Sequence, residues 1–126
     1  MPTPSGQLML QIQALPRDTN AHGDIYAGWL IQQMDLAAAA CAGQISKGRA
    51  TTVAMERIEF MSPVSVGDHV SCYTDLLDTG RSSMKIKVEV YVKDSRGENS
   101  AKVTEGVFIY VAINEMGGIR TLPNRD

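Results

Sequence analysis

Among the 126 residues of the chain, Asp35 has the setting that most invites chemistry. It follows Ile31 and Met34 and is followed by Leu36 and Ala38 to Ala40. A carboxylate there loses hydration with no cation nearby in sequence to offset the loss. On an ordinary amphipathic helix a lone Asp faces solvent, but this stretch offers almost no polar face. Asp35 is therefore a candidate general base or nucleophile. Gly28, seven residues earlier, falls in the first turn of the same predicted helix. Backbone N–H groups there lack intrahelical partners and the helix dipole is positive. With no Cβ in the way, such an N–H can stabilise the oxyanion that forms on an attacked carbonyl. From spacing alone, a packing or turn glycine is the simpler reading. Asn20, in the polar loop before the helix, can both donate and accept and so orient a water or a carbonyl, although loop asparagines mostly form turns. His22 is a further acid–base candidate, but its place before Gly23 favours simple solvation.

The elements that must position these residues are legible. From Ala27 to Ala42 there is no proline and no interior glycine after Gly28, while Trp29, Leu30, Ile31, Met34 and Leu36 follow closely. This predicts a helix of about four turns, stopped by Gly43 and followed by a link from Gln44 to Gly48. Its polar residues are Gln32, Gln33 and Asp35, so other structure should wrap nearly its whole circumference. Leu8 to Ala14 alternates as a strand ended by Pro16. Further strands are predicted at Thr51 to Phe60, His69 to Leu77, Ser83 to Val92 and Ala101 to Ile113. In Ser83 to Val92, Lys85, Lys87, Glu89 and Tyr91 alternate with Ile86, Val88, Val90 and Val92, the period of a strand with one buried face. The order β-α-β-β-β-β makes this an α+β chain, a curved antiparallel sheet of five strands around one long helix, in a single domain spanning residues 1–126. One helix cannot cover both faces of such a sheet. The rest, or the strand edges, should be covered by a second copy of the chain.

Composition narrows the function classes. The hydrophobic fraction of 44% and a net charge of −2 describe a globular protein without the basic face that nucleic-acid binding needs. The opening MPTPSGQLML has no basic segment followed by a long apolar run, and no stretch is long enough to span a membrane. A cytoplasmic location is expected, with no membrane or nucleic-acid partner. Cys41 and Cys72 show no Cys-x-x-Cys spacing, and His22 and His69 are the two histidines. Both cysteines read as packed thiols, and no metal site is expected.

The stretch Asp18-Thr19-Asn20-Ala21-His22-Gly23-Asp24-Ile25-Tyr26-Ala27-Gly28-Trp29-Leu30, followed by Gln33-Met34-Asp35, closely resembles the signature of the YciA-type acyl-CoA thioesterases of the hotdog superfamily. Phe60 to Asp68, Glu89 to Lys93 and Arg120 to Pro123 are similar to the same family. The likeness covers nearly the whole chain. It implies a hotdog fold and a broad-range acyl-CoA hydrolase with no metal or redox cofactor, built as dimers that associate into a hexamer. It further implies that Asp35 is the catalytic carboxylate, Asn20 the active-site amide and Gly28 the glycine whose N–H faces the thioester. The site would lie at the dimer interface, with Asn20 of one subunit facing Asp35 of the other. One departure is visible: relatives commonly carry a Gly-Gly pair where this chain has Ala27-Gly28, which bears on chain-length preference more than on activity.

An acyl-CoA substrate also needs cations for the phosphates of CoA. Arg81 is the first candidate, because it sits beside the Ser82 and Ser83 hydroxyls at a strand start and its guanidinium can fork onto phosphate oxygens. Lys85 and Lys87 are weaker, since exposed strand lysines are mostly solvated. Two other readings stay open at this level. Asp18-Thr19-Asn20-Ala21-His22 approaches the Asp-x-Asn-Pro-x-His pattern of hotdog enoyl-CoA hydratases and dehydratases, but lacks the proline and is one residue short. A non-catalytic acyl-CoA binding module would keep the pocket and use Asp35 only structurally.

Overall fold

The computed structural model of the chain describes residues 4–123. Its elements are β1 (Gln7–Gln13), α1 (Ala27–Ser46), β2 (Ala50–Phe60), β3 (His69–Thr79), β4 (Ser83–Lys93) and β5 (Ser100–Ala112). The strands form one sheet in the order β1-β3-β4-β5-β2, with every neighbouring pair antiparallel. The alternation read in β4 is realised: Met84, Ile86, Val88, Val90 and Val92 are buried on the helix side. Helix α1 packs on all five strands, and Met34, Ile86, Val88, Phe108 and Tyr110 fill the space between. Each such side chain contributes about 1.5–3 kcal/mol relative to exposure. No helix among the described residues is long and apolar enough to cross a membrane.

Two expectations need correction. The helix does not stop at Gly43 but runs on to Ser46. An interior glycine costs about 1 kcal/mol against alanine, which is outweighed here because Ala42 and Ser46 are fully buried and Ile45 packs on the core. The chain turns instead at Lys47, whose φ of 53° is left-handed. The Arg120 guanidinium ties off the helix end, donating to the Ser46 carbonyl at 2.8 Å, to Ile113 O at 2.8 Å and to Arg49 O at 3.1 Å. Nor is the helix wrapped all round within one chain. Trp29, Leu30, Gln33, Met34, Ala37 and Ala38 are buried, but Gln32, Leu36, Ala39 and Ala40 are exposed. This strip is open, and edge strand β2 separately exposes Val53 and Met55.

The sheet face away from the helix carries an ionic network. Glu89 is buried and meets Lys102 Nζ at 2.6 Å, while the Ser5 N–H and hydroxyl donate to its other oxygen at 3.0 and 2.8 Å. Burial alone would raise this carboxyl, but these donors and the Lys102 charge hold it at about 2. Because that lies below the unfolded value of about 4.3, the network's stabilisation is present above about pH 4.5 and is lost as pH falls toward 2. We expect Glu89→Gln to flatten the loss of stability between those pH values, measured by urea unfolding. Equal slopes for the two proteins would show that Glu89 carries none of the acid sensitivity.

Candidate active site

Asp35 is half-buried on α1, above the point where β2 and β5 pair. Thr52 and Tyr110 are cross-strand partners in that pairing, which puts their side chains on one face of the sheet. The register shifts immediately beyond, between Thr52 and Ala54, a bulge of the kind that re-aims side chains near functional sites. Thr52 Oγ1 donates to Asp35 Oδ1 at 2.8 Å. The Tyr110 hydroxyl donates to the same Oδ1 and lies 2.9 Å from the Asp35 carbonyl oxygen. No described residue donates to Oδ2. Burial pushes the Tyr110 phenol above its ordinary range and the Asp35 bond adds to the shift, so this hydroxyl keeps its proton and acts as a donor. The depth of the helix is set nearby by Gly106, where a Cβ would come within 2.9 Å of Ile58 Cγ1 and 3.4 Å of Met34 Cε.

Thr52 and Tyr110 escaped sequence reasoning. A tyrosine on the inward face of an apolar strand needs a partner for its hydroxyl, and Asp35 is the acidic residue of the helix. That signal points to the pair once β2 is known to lie against β5. As the sequence suggested, no cation among the described residues meets Asp35; two hydroxyl donors do.

Gly28 is exposed in the first turn of α1. Its φ is not left-handed, and an added Cβ would meet nothing nearer than the Tyr26 ring at 3.5 Å. Neither the turn nor the packing explanation therefore accounts for it within the chain. Asn20 does shape its loop: its Oδ1 accepts from the N–H of His22 at 2.8 Å and of Asp24 at 3.1 Å, and its N–H donates to Asp24 O at 2.7 Å. Its amide nitrogen donates to no described residue. His22 is exposed. Beside the helix start a cavity of about 340 Å³ opens, lined mainly by Ile25, Tyr26, Ala27, Leu30, Phe60 and Val64. Seven residues of helix separate Gly28 from Asp35, a rise of about 10 Å.

Gly80, Arg81 and Ser82 form the tight turn between β3 and β4, and Ser83 opens β4. Gly80 N–H closes it on Ser83 O at 2.9 Å, and Leu122 N–H holds it through Arg81 O at 2.9 Å. The Arg81 side chain is exposed. The turn lies at the end of the sheet away from Asn20, next to the row Thr52–Tyr110–Met84. Lys85 already pairs with Glu56 at 3.6 Å, and Lys87 lies 3.9 Å from Glu89. Cys72 is buried, which pushes its thiol up to about 12, and the half-buried Cys41 is also raised by burial. Among the described residues no group of three or more His, Cys, Asp or Glu could hold a metal.

One long helix laid across a five-stranded antiparallel sheet in this order defines a hotdog domain. Residues 22–98 match the thioesterase superfamily. The chain is 48% identical over 124 residues to an uncharacterized acyl-CoA thioester hydrolase of Haemophilus influenzae, covering 96% of this chain and 80% of that one. It is 45% identical over 123 residues to the acyl-CoA thioester hydrolase YciA of Escherichia coli K12, covering 95% and 93%. A crystal structure of a hexameric broad-specificity acyl-coenzyme A thioesterase superposes with a TM-score of 0.93 at 46% identity, covering 99% of this chain and 86% of that chain. The chain belongs to the thioesterase superfamily and, within it, to the YciA-type acyl-CoA thioester hydrolases.

Proposed function

We propose that the chain hydrolyses acyl-CoA thioesters over a broad acyl range, releasing a carboxylic acid and free CoA, in an assembly of hotdog dimers arranged as a hexamer. The observation that carries this reading is the anchored, half-buried Asp35 carboxylate on the helix of a hotdog thioesterase domain. The hexamer is that of the broad-specificity relative, and the exposed strip of α1 around Leu36 and the open edge of β2 are the surfaces that a second copy covers.

Asp35 takes a proton from water, whose oxygen adds to the thioester carbonyl carbon. The Gly28 N–H holds the oxyanion, and the Asn20 amide positions the water or the carbonyl. Collapse breaks the C–S bond, and the proton returns to the CoA sulfur. A thiolate is already a good leaving group, so no strong general acid is demanded. Gly28 and Asp35 of one chain are about 10 Å apart along the helix, too far to serve one carbonyl. Asp35 of one protomer therefore works with Gly28 and Asn20 of its partner. The acyl chain enters the cavity beside Gly28, where Ala27 forms part of the wall. Arg81 takes the CoA phosphates with help from the Ser82 and Ser83 hydroxyls, while Lys85, engaged by Glu56, contributes less.

Three outcomes are expected. Asp35→Asn, which keeps the shape and removes the basicity, should lower kcat by about 100-fold or more in a thiol-release assay across several acyl-CoAs. Turnover near wild type in protein free of contaminating esterase would remove Asp35 from the mechanism. Arg81→Ala should raise KM more than it lowers kcat, because phosphate binding is remote from the reacting carbonyl; an unchanged KM would move the phosphate site elsewhere. Finally, Asn20→Ala and Asp35→Ala proteins, each inactive, should recover about a quarter of wild-type activity when unfolded and reassembled together in equal amounts. Half the dimers are then mixed, and each of those has one intact site of two. Absence of recovery, with mixed dimers proven by mass spectrometry, would place both residues within one chain.

A further inference from the structure

We infer that Tyr110 is a positioning residue that divides the labour of the Asp35 carboxylate, fixing Oδ1 as the anchor and leaving Oδ2 as the oxygen that accepts the proton of water. This deepens the functional reading above and rests on it.

Two hydroxyls from two strands converge on one carboxylate oxygen. Thr52 Oγ1 reaches Oδ1 at 2.8 Å from β2, and Tyr110 reaches the same atom from β5. The Tyr110 donor cannot wander. Tyr110 is only 2% exposed, its ring is held among core side chains, and its hydroxyl also lies 2.9 Å from the carbonyl of the very residue it orients. Contact with both the backbone and the side chain of Asp35 fixes the side-chain rotation of the carboxylate relative to the helix. An aspartate has two rotatable bonds, and a carboxylate tied at one oxygen presents the other in one direction. No described residue donates to Oδ2, and the half-buried Asp35 leaves that side of the carboxylate accessible.

The arrangement also distributes basicity. An oxygen that already accepts two hydrogen bonds has its lone pairs engaged, whereas Oδ2 has its own free to receive a proton. In the proposed step Oδ2 takes one proton from water, the water oxygen bonds to the carbonyl carbon, and the same proton passes from Oδ2 to the sulfur as the C–S bond breaks. Oδ1 keeps its two hydroxyl partners throughout, so the protein need not reorganise as charge moves. Tyr110 touches neither substrate nor water in this scheme. It acts through Asp35, and a small misalignment of a reacting group is enough to cost a large factor in rate.

The test is steady-state kinetics of thiol release by the assembled enzyme, comparing Tyr110→Phe, Thr52→Val and Asp35→Asn with the double variants Tyr110→Phe/Asp35→Asn and Thr52→Val/Asp35→Asn. We expect Tyr110→Phe to lower kcat by about 10- to 100-fold with KM for acyl-CoA unchanged, and Thr52→Val to act in the same direction. Neither should slow the residual rate once Asp35 is already Asn, since a positioning residue has nothing left to position. A residue that matters only for folding would lower the yield of active enzyme equally in both backgrounds. If Tyr110→Phe does not fold, as judged by circular dichroism and melting, Thr52→Val carries the same two expectations. Wild-type kcat in the single variants beside an inactive Asp35→Asn would overturn the inference and leave the functional reading intact, as would losses that multiply onto the Asp35→Asn rate. Full turnover by Asp35→Asn would remove both.

Discussion

A carboxylate on the inner side of a helix has to be met by something, and in this chain two hydroxyls rising from one cross-strand pair of β2 and β5 meet it. The rest of the architecture follows from that constraint. The helix must cross the sheet at the row of Thr52 and Tyr110, at a depth where the hydroxyls reach Oδ1. Gly106, with no Cβ to hold Met34 and Ile58 away, permits that depth. Arg120 ties the far end of the helix to the strand ends at Ile113 and Arg49, which opposes sliding along the helix axis. Planar guanidinium geometry suits a grip on three separate carbonyls, where a lysine would offer a single point charge.

The same helix has contrasting ends. Its N-terminal turn, with Gly28 and the cavity against Ala27 and Leu30, is suited to a carbonyl and an apolar chain. Its middle carries the anchored acid, and the turn bearing Arg81 lies at the sheet end beyond. In the proposed reading, a thioester with an apolar acyl group on one side and a long phosphorylated arm on the other matches this polarity where the start of one copy's helix meets the middle of its partner's.

The sequence made some of this legible and hid the rest for physical reasons. Strand alternation in β4, the apolar run of α1 and the loop signature around Asn20 were local signals, so the elements, their order and the family were readable. The end of the helix was not, because the residues that carry it past Gly43 are rewarded by tertiary burial of Ala42 and Ser46 rather than by propensity. The exposed strip of Gln32, Leu36, Ala39 and Ala40 was likewise hidden, since an apolar residue awaiting a partner chain reads like one buried at home. Thr52 and Tyr110 were invisible for a third reason. Their relation to Asp35 exists only through the pairing of β2 with β5, and neither residue stands out among its strand neighbours.

That pairing also places the site in time. Among the described residues β2 is an edge strand whose sole neighbour in the sheet is β5, which follows the other strands in the chain. Until β5 docks, β2 has nothing to pair with and Asp35 has neither of its donors, even if α1 has already formed. The closure of so long a loop belongs to the late, slow part of folding. A state with β1, β3 and β4 beneath the helix and β5 undocked would leave Asp35 without either donor. Under the proposed function, the acid is organised only once β5 has paired with β2, so the chemistry depends on that one strand pairing.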